Sequence, residues 1–184
     1  MISYNKLKKE LIPISAPIVK RREYKFAAVL VPIFTTEGKV LLTKRSNALR
    51  HHKGQIAFPG GKYEVEDKTL LETCLRETEE EVGIRREKIK IVGRMNPVST
   101  TTKNCVYPFV GLINEEVTIK INEEVESYFF VSFEDLMNPR NQRIGFFQGG
   151  LRLYYLINNY KIWGVTRKIL SDLVKKLKKI KETD

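Results

Sequence analysis

Three glutamates, Glu77, Glu80 and Glu81, stand close together in the segment Gly60 to Ile84, GGKYEVEDKTLLETCLRETEEEVGI. Set on a helix at about 100° per residue, they share one arc, as neighbours at i, i+3 and i+4. Leu71, Cys74, Leu75, Thr78 and Val82 fall on another arc, which reads as a core-facing stripe. Like charges at about 6 Å, with an effective dielectric near 20, repel by roughly 3 kcal/mol per pair. Such a face is tolerable if water solvates it fully, since glutamate is a good helix former. It is useful if it holds a divalent cation, for which carboxylate oxygens are favoured ligands. Spacing alone leaves both readings open. Two neighbours favour the second. Phe58-Pro59-Gly60-Gly61 lies just upstream, where glycines let a backbone carbonyl approach a metal or phosphate closely. Arg76 stands beside Glu77 and can orient its carboxylate through a charge-assisted hydrogen bond.

The elements that must position these residues follow from periodicity and punctuation. Residues 68–82 are predicted to form a helix, with Thr69 and Glu72 as a capping box and Gly83 as its stop. Lys25 to Phe34 reads as a buried strand. Glu37-Gly38 is a turn leading into a second strand, Val40 to Thr43, so the two are expected to form a hairpin. Residues 45–53 read as a loop or short helical turn, and Gln55 to Phe58 as a short strand that stops at Pro59. Further strands are expected at Lys88 to Val98, Cys105 to Ile113, Val125 to Val131 and Leu151 to Ile157. Ser132 with Asp135 can cap a short helix. Ile169, Leu170, Leu173, Val174, Leu177 and Ile180 mark an amphipathic helix over 165–181, whose lysines form a solvated face. Residues 1–22 are a polar, basic lead-in, with Pro13 and Pro17 blocking a long helix. No repeat or linker divides the chain, so residues 1–184 are expected to be one domain of α/β (α+β) class, a mixed sheet packed against helices.

Composition bounds the function. The 184 residues are 42% hydrophobic, enough for a real core and too apolar for a disordered chain. No apolar run approaches the roughly 20 residues of a membrane span, and MISYNKLKKELIPIS lacks the continuous apolar stretch of a secretory signal. Two cysteines, Cys74 and Cys105, cannot build a disulfide framework or a four-ligand zinc site. A cytoplasmic setting is the expectation. The net charge of +11 favours polyanionic partners, and a basic nucleic-acid-binding module is the reading from a different class. The glutamate cluster opposes it, because unneutralised acids repel phosphates.

Residues 76–84, Arg76-Glu77-Thr78-Glu79-Glu80-Glu81-Val82-Gly83-Ile84, resemble the second half of the Nudix hydrolase signature, with Thr78 where an aliphatic residue is usual. The first half departs: Gly61 to Arg76 is one residue longer than the general pattern, and the middle glutamate is missing, with Asp67 nearest to its place and Lys68 following. That departure resembles the coenzyme A diphosphatase branch of the family, as does the segment LLTKRSNALRHHKGQIAFPGG at 41–61. There Leu41, Leu42, Thr43, Arg45, Ser46, Arg50, Gly54, Phe58, Pro59, Gly60 and Gly61 match the branch's upstream motif. Residues 108–113, 122–125 and 163–166 are also similar to that branch, so the resemblance covers about residues 25–170.

The resemblance implies an α/β/α sandwich with the mixed sheet between helices, and a hydrolase of the diphosphate bond in coenzyme A or its derivatives. It implies that Glu77, Glu80 and Glu81, with the Gly61 carbonyl, hold Mg²⁺ or Mn²⁺, with Arg76 in support. Glu124 is the candidate base or further ligand, followed by Glu123 and Glu126; a solvated turn at 122–124 is the other reading. Arg45, Ser46, Arg50, Gly54, Phe58 and Gly60 are the candidate substrate residues, since planar guanidinium groups suit phosphate. The expected partner is a small nucleotide substrate of the coenzyme A class, with no nucleic acid, no membrane, and a homodimer left open. Another nucleoside diphosphate, such as ADP-ribose, is the nearest alternative substrate. His51 and His52 read as surface residues, and Phe146, Phe147, Tyr154, Tyr155 and Tyr160 as core aromatics rather than an adenine platform.

Overall fold

The computed structural model describes residues 4–18, 23–49, 51–100, 102–147 and 149–182; Arg50, a candidate substrate residue, lies outside them. In chain order the elements are α1 (Tyr4–Lys9), β1 (Lys25–Phe34), β2 (Lys39–Arg45), β3 (Ile56–Ala57), β4 (Gly60–Lys62), α2 (Leu70–Val82), β5 (Lys90–Arg94), β6 (Val98–Ser99), β7 (Asn104–Ile113), β8 (Val125–Ser132), α3 (Phe133–Met137), β9 (Gln142–Phe147), β10 (Gly150–Ile157), β11 (Tyr160–Ile162) and α4 (Gly164–Glu182).

The apolar run of β1 is continuous because the strand lies between helices on both faces. It pairs in parallel with β7 along its whole length, from Lys25 opposite Asn104 to Phe34 opposite Ile113. Its other edge is shared. Only Ile33 and Phe34 pair with β2, while Ala27 to Val29 pair with β4. The expected hairpin of β1 and β2 is therefore confined to its turn. Beyond it β2 diverges to pair with β8 and β3, and β4 fills the edge that it leaves. With β5 and β6 beside β7, the result is an eight-stranded mixed sheet. A separate three-stranded antiparallel sheet is built from β9, β10 and β11.

Alternation along β1 sends Ala28 and Leu30 to one face and Val31 and Ile33 to the other. On the first face α2 packs Leu70, Cys74 and Val82 against Leu41, Tyr107 and Phe109. On the second, α4 packs its expected stripe from Ile169 to Ile180 against Val40, Leu42, Val110 and Val131, with Leu7 of α1 alongside. These two layers around the mixed sheet make the α/β/α sandwich.

Several expectations are corrected. The buried face of α2 is turned: Leu70, Thr73, Cys74, Thr78, Glu81 and Val82 are buried, while Leu71 and Leu75 are only partly covered. The rotation presses Glu81 towards β4, and the buried threonines stay satisfied through the Asp67 carboxylate and the Cys74 carbonyl. The Gln55 to Phe58 strand does not end the pairing at Pro59, since β4 follows at once. The lead-in contains α1, and Lys88 to Val98 divides into β5 and β6 around Asn96-Pro97. Phe146, on β9 of the small sheet, is exposed rather than core.

Candidate active site

Caps hold α2 at the angle the site needs. The Thr69 hydroxyl accepts from the Glu72 amide at 3.1 Å, and the Glu72 carboxylate accepts from the Lys68 amide at 2.9 Å. Gly83 closes the helix at φ 71°, a left-handed cap.

Two glycines of β4 let the glutamates of α2 approach the sheet. At Gly60, with φ 144°, a Cβ would come within 2.3 Å of the Ala28 carbonyl oxygen. Its amide donates to Glu81 Oε2 at 3.1 Å. At Gly61 a Cβ would lie 2.2 Å from Glu77 Oε1 and Cδ, so the Glu77 carboxylate rests directly on this backbone. Gly61→Ala must push Glu77 away, and a displacement near 1 Å at a reacting centre costs about a hundredfold. The expected outcome is a loss of that order in kcat/KM with a cooperative melt retained, checked by initial rates and calorimetry.

The three glutamates stand in different surroundings. Glu81 is 3% exposed, with Arg45 Nη1 at 3.3 Å from its Oε1. Burial pushes its carboxyl up to about 7; the Gly60 amide and Arg45 pull the other way, and Glu77 and Glu124 push further up. Glu77 is partly buried and is also raised, by burial first, against the pull of Arg76. Glu80 points outward and pairs with Arg76 Nη1 at 3.1 Å.

Arg76 joins the helix to the loop before it. It donates to Asp67 twice, Nε to Oδ1 at 3.0 Å and Nη2 to Oδ2 at 3.1 Å, and stands 3.1 Å from Glu77 Oε1. Asp67 is nearly buried and also accepts from the Thr73 hydroxyl and the Glu64 amide. The Arg76 hydrogen bonds hold its carboxyl down at about 2 despite burial. Asp67, noted in the sequence only as standing near a missing glutamate, is thus the acid that anchors Arg76.

A second loop closes the site from the side. The Asn122 amide donates to the Glu81 carbonyl, and the Lys120 amide to the Val82 carbonyl, tying residues 120–124 to the end of α2. The Glu124 amide is held by Asn122 Oδ1, and the Glu124 carbonyl accepts from the Ser46 amide at 2.8 Å. Glu124 Oε2, half exposed, lies 3.6 Å from Arg45 Nη2. Glu126 turns away to Lys44 and Asn47, and Glu123 is exposed.

Arg45 therefore reaches the carboxylates of Glu81 and Glu124, whereas Ser46 meets the Glu124 backbone carbonyl through its amide and the Ala48 amide through its hydroxyl, and Gly54 pins their loop. The Gly54 amide donates to the Arg45 carbonyl, and the Arg45 amide donates to the Gln55 carbonyl. Phe58 is only 2% exposed and sits in the core beneath α4. This makes it a support for the loop rather than a surface for substrate. His51 and His52 are exposed, in keeping with their surface reading.

Among the described residues no three His, Cys, Asp or Glu side chains already stand close enough to hold an ion, and Glu80 is paired with Arg76. The donor chemistry still fits a hard divalent cation. Glu77 and Glu81 are carboxylates whose proton affinity burial raises, Glu81 further by the charge of Glu77 and Glu77 further by that of Glu80, and a bound positive charge relieves that conflict.

The family model described as the NUDIX domain matches residues 24–147. The chain is 38% identical over 157 residues to the uncharacterized Nudix hydrolase NudL of Yersinia enterocolitica, a match covering 82% of this chain and 80% of that protein. Among solved structures it is similar to the M. smegmatis Nudix hydrolase RenU, with a TM-score of 0.54, 13% identity and 94% of each chain covered. It is also similar to a C. elegans Ap4A hydrolase in a binary complex, with a TM-score of 0.52 and 20% identity, over 60% of this chain and 83% of that one. At these identities the structural likenesses speak for the fold alone.

Proposed function

Because the chain belongs to the Nudix hydrolase family, we propose that it cleaves the diphosphate bond of coenzyme A or its derivatives, giving 3',5'-ADP and (acyl-)4'-phosphopantetheine. The observation that carries this reading is the way segment 41–61 meets the carboxylates. One end of the segment supplies Arg45, which pairs with Glu81 and Glu124. The other end supplies the glycines beneath Glu77 and Glu81. The stretch that resembles the coenzyme A branch is therefore built into the wall of the site.

Hydrolysis of a diphosphate needs a positioned water, a base and neutralised phosphoryl oxygens. Glu77, Glu80 and Glu81, with the Gly61 carbonyl, would hold Mg²⁺ or Mn²⁺, which supplies that neutralisation and makes water more acidic. Arg76 steadies Glu77. Glu124, on its tied loop, takes the proton from water. Arg45 and Ser46 bind phosphate, with Arg50 assigned beside them from the sequence alone. Glu124→Gln is expected to lower kcat by about a hundredfold with little change in KM, as measured by initial rates. A kcat within about twofold of wild type returns residues 122–124 to a solvated turn.

The reading includes a cytoplasmic setting, for which the buried free thiols Cys74 and Cys105 speak. Among the described residues no helix is long and apolar enough to cross a membrane. The test is a panel of coenzyme A, dephospho-coenzyme A and ADP-ribose with Mg²⁺ or Mn²⁺, the products separated by chromatography. Coenzyme A is expected to lead in kcat/KM by about tenfold or more. A lead for ADP-ribose moves the assignment to another nucleoside diphosphate.

A further inference from the structure

We infer that Arg45 is a positioning residue that stands in for the cation: its guanidinium clamps Glu81 to Glu124 until a divalent ion takes Glu81, and is then released toward an anionic oxygen of the substrate. The inference rests on the metal-dependent reading above and goes beyond it, because it makes the order of binding a property of one side chain.

The geometry shows a clamp that is made to open. Glu81 is buried, and its two oxygens are taken separately, Oε2 by the Gly60 amide and Oε1 by Arg45 Nη1. Arg45 Nη2 reaches across to Glu124 at 3.6 Å, longer than a good charge-assisted bond. Arg45 Nε is buried and has no acceptor among the described residues. A guanidinium offers five N–H donors in a rigid fork, and here one jaw is loose and the stem is unsatisfied. A buried donor without an acceptor disfavours the arrangement that holds it.

Charge then decides what happens when a cation arrives. A divalent ion on Glu81 and a guanidinium 3.3 Å from the same carboxylate repel each other at short range in a poorly solvated place. Both cannot keep Glu81, so the ion displaces the side chain. The backbone of Arg45 has no such freedom. Its amide is held by the Gln55 carbonyl, its carbonyl by the Gly54 amide, and the next amide, of Ser46, by the Glu124 carbonyl. Only the side chain swings, and it stays within reach of the site. A planar fork freed of carboxylates suits a phosphoryl group. The cation therefore binds first and prepares the anion site.

The test is Mn²⁺ binding to the metal-free protein at pH 8, measured by calorimetric titration without any substrate. Arg45→Gln is expected to bind Mn²⁺ about tenfold more tightly than wild type, since a competing charge is gone. Arg45→Lys keeps the charge but cannot span Glu81 and Glu124, and is expected to fall between the two. It serves by itself where Arg45→Gln lacks a cooperative melt. Adding Glu81→Gln to Arg45→Gln is expected to abolish the gain, which locates the competition at Glu81. Equal or weaker Mn²⁺ affinity in both Arg45 variants overturns the clamp while leaving the metal-dependent reading intact. Absence of Mn²⁺ binding in wild type and variants alike overturns both.

Discussion

Glu81→Gln is expected to cut turnover at least about a thousandfold and, in the metal-free protein at pH 8, to raise the melting temperature. On the proposed reading, the loss of activity follows from removing an anionic metal ligand. The gain in stability follows from proton linkage. The folded-state carboxyl sits at about 7, above its ordinary value of 4.5, because burial disfavours the charge. Between those two values the folded chain holds a proton that the unfolded chain has released. Wild type therefore loses stability as pH rises from about 4.5 to about 7, and carries the full cost at pH 8. At about 1.4 kcal/mol for each pH unit of that interval, the cost is about 3–4 kcal/mol, or roughly 7–14 °C in a chain of this size. Glutamine does not ionise, so the gap between variant and wild type should be near zero at pH 4.5 and greatest at pH 8. Scanning calorimetry in the presence of a chelator, at both pH values, measures it. Turnover close to wild type with Mg²⁺ would take Glu81 out of the reaction.

Arg76→Met is expected to destabilise the fold by about 3–5 kcal/mol at pH 7, the usual cost of stripping a buried acid of its partner. Asp67 is 7% exposed and takes two of the guanidinium's hydrogen bonds. Without Arg76 the carboxylate keeps only the Thr73 hydroxyl and the Glu64 amide. Asp67 sits at about 2 in the folded protein, below its ordinary 3.8, so the pair stabilises the fold above about pH 4. That contribution disappears as pH falls from about 4 towards 2. The difference between wild type and variant in urea midpoint should accordingly be large at pH 7 and shrink at pH 3 and below. A difference that does not change with pH would mean that the stabilisation comes from packing of the Arg76 stem. Activity should fall as well, since Glu77 loses the group 3.1 Å from its Oε1.

What could be read from the sequence were the elements whose local pattern agrees with their final surroundings. Lys25–Phe34 and Asn104–Ile113 are continuous apolar runs because helices cover both faces of the central strands. The helix at 70–82 carries its own start and stop in Thr69 and Gly83. Gly60–Lys62 has no apolar period, and its place in the sheet comes from the edge that β2 vacates beside β1. The strand Gln142–Phe147 escapes notice because Ile144 and Phe146 are exposed, so burial does not set its pattern. At the site, the repulsive cluster of glutamates was visible as a pattern of charge. Which glutamate is buried was not, because the rotation of α2 is set by sheet contacts distant in the chain. The Arg45–Glu81 pair joins residues 36 apart and has no local signature.

The parallel pairing of β1 with β7 also sets the order of events while the chain is being made. A nascent chain that has not yet reached Ile113 leaves one long edge of its most apolar strand with no partner. The opposite face stays uncovered until α4 has been made out to Ile180. Closing such distant contacts costs loop entropy before any packing is gained, which puts folding on the slow, millisecond-to-second side for its size. During that interval the bare edge of β1 is a template for another unfinished copy. Slow synthesis in the cold is therefore expected to favour the native sheet over edge-to-edge aggregates.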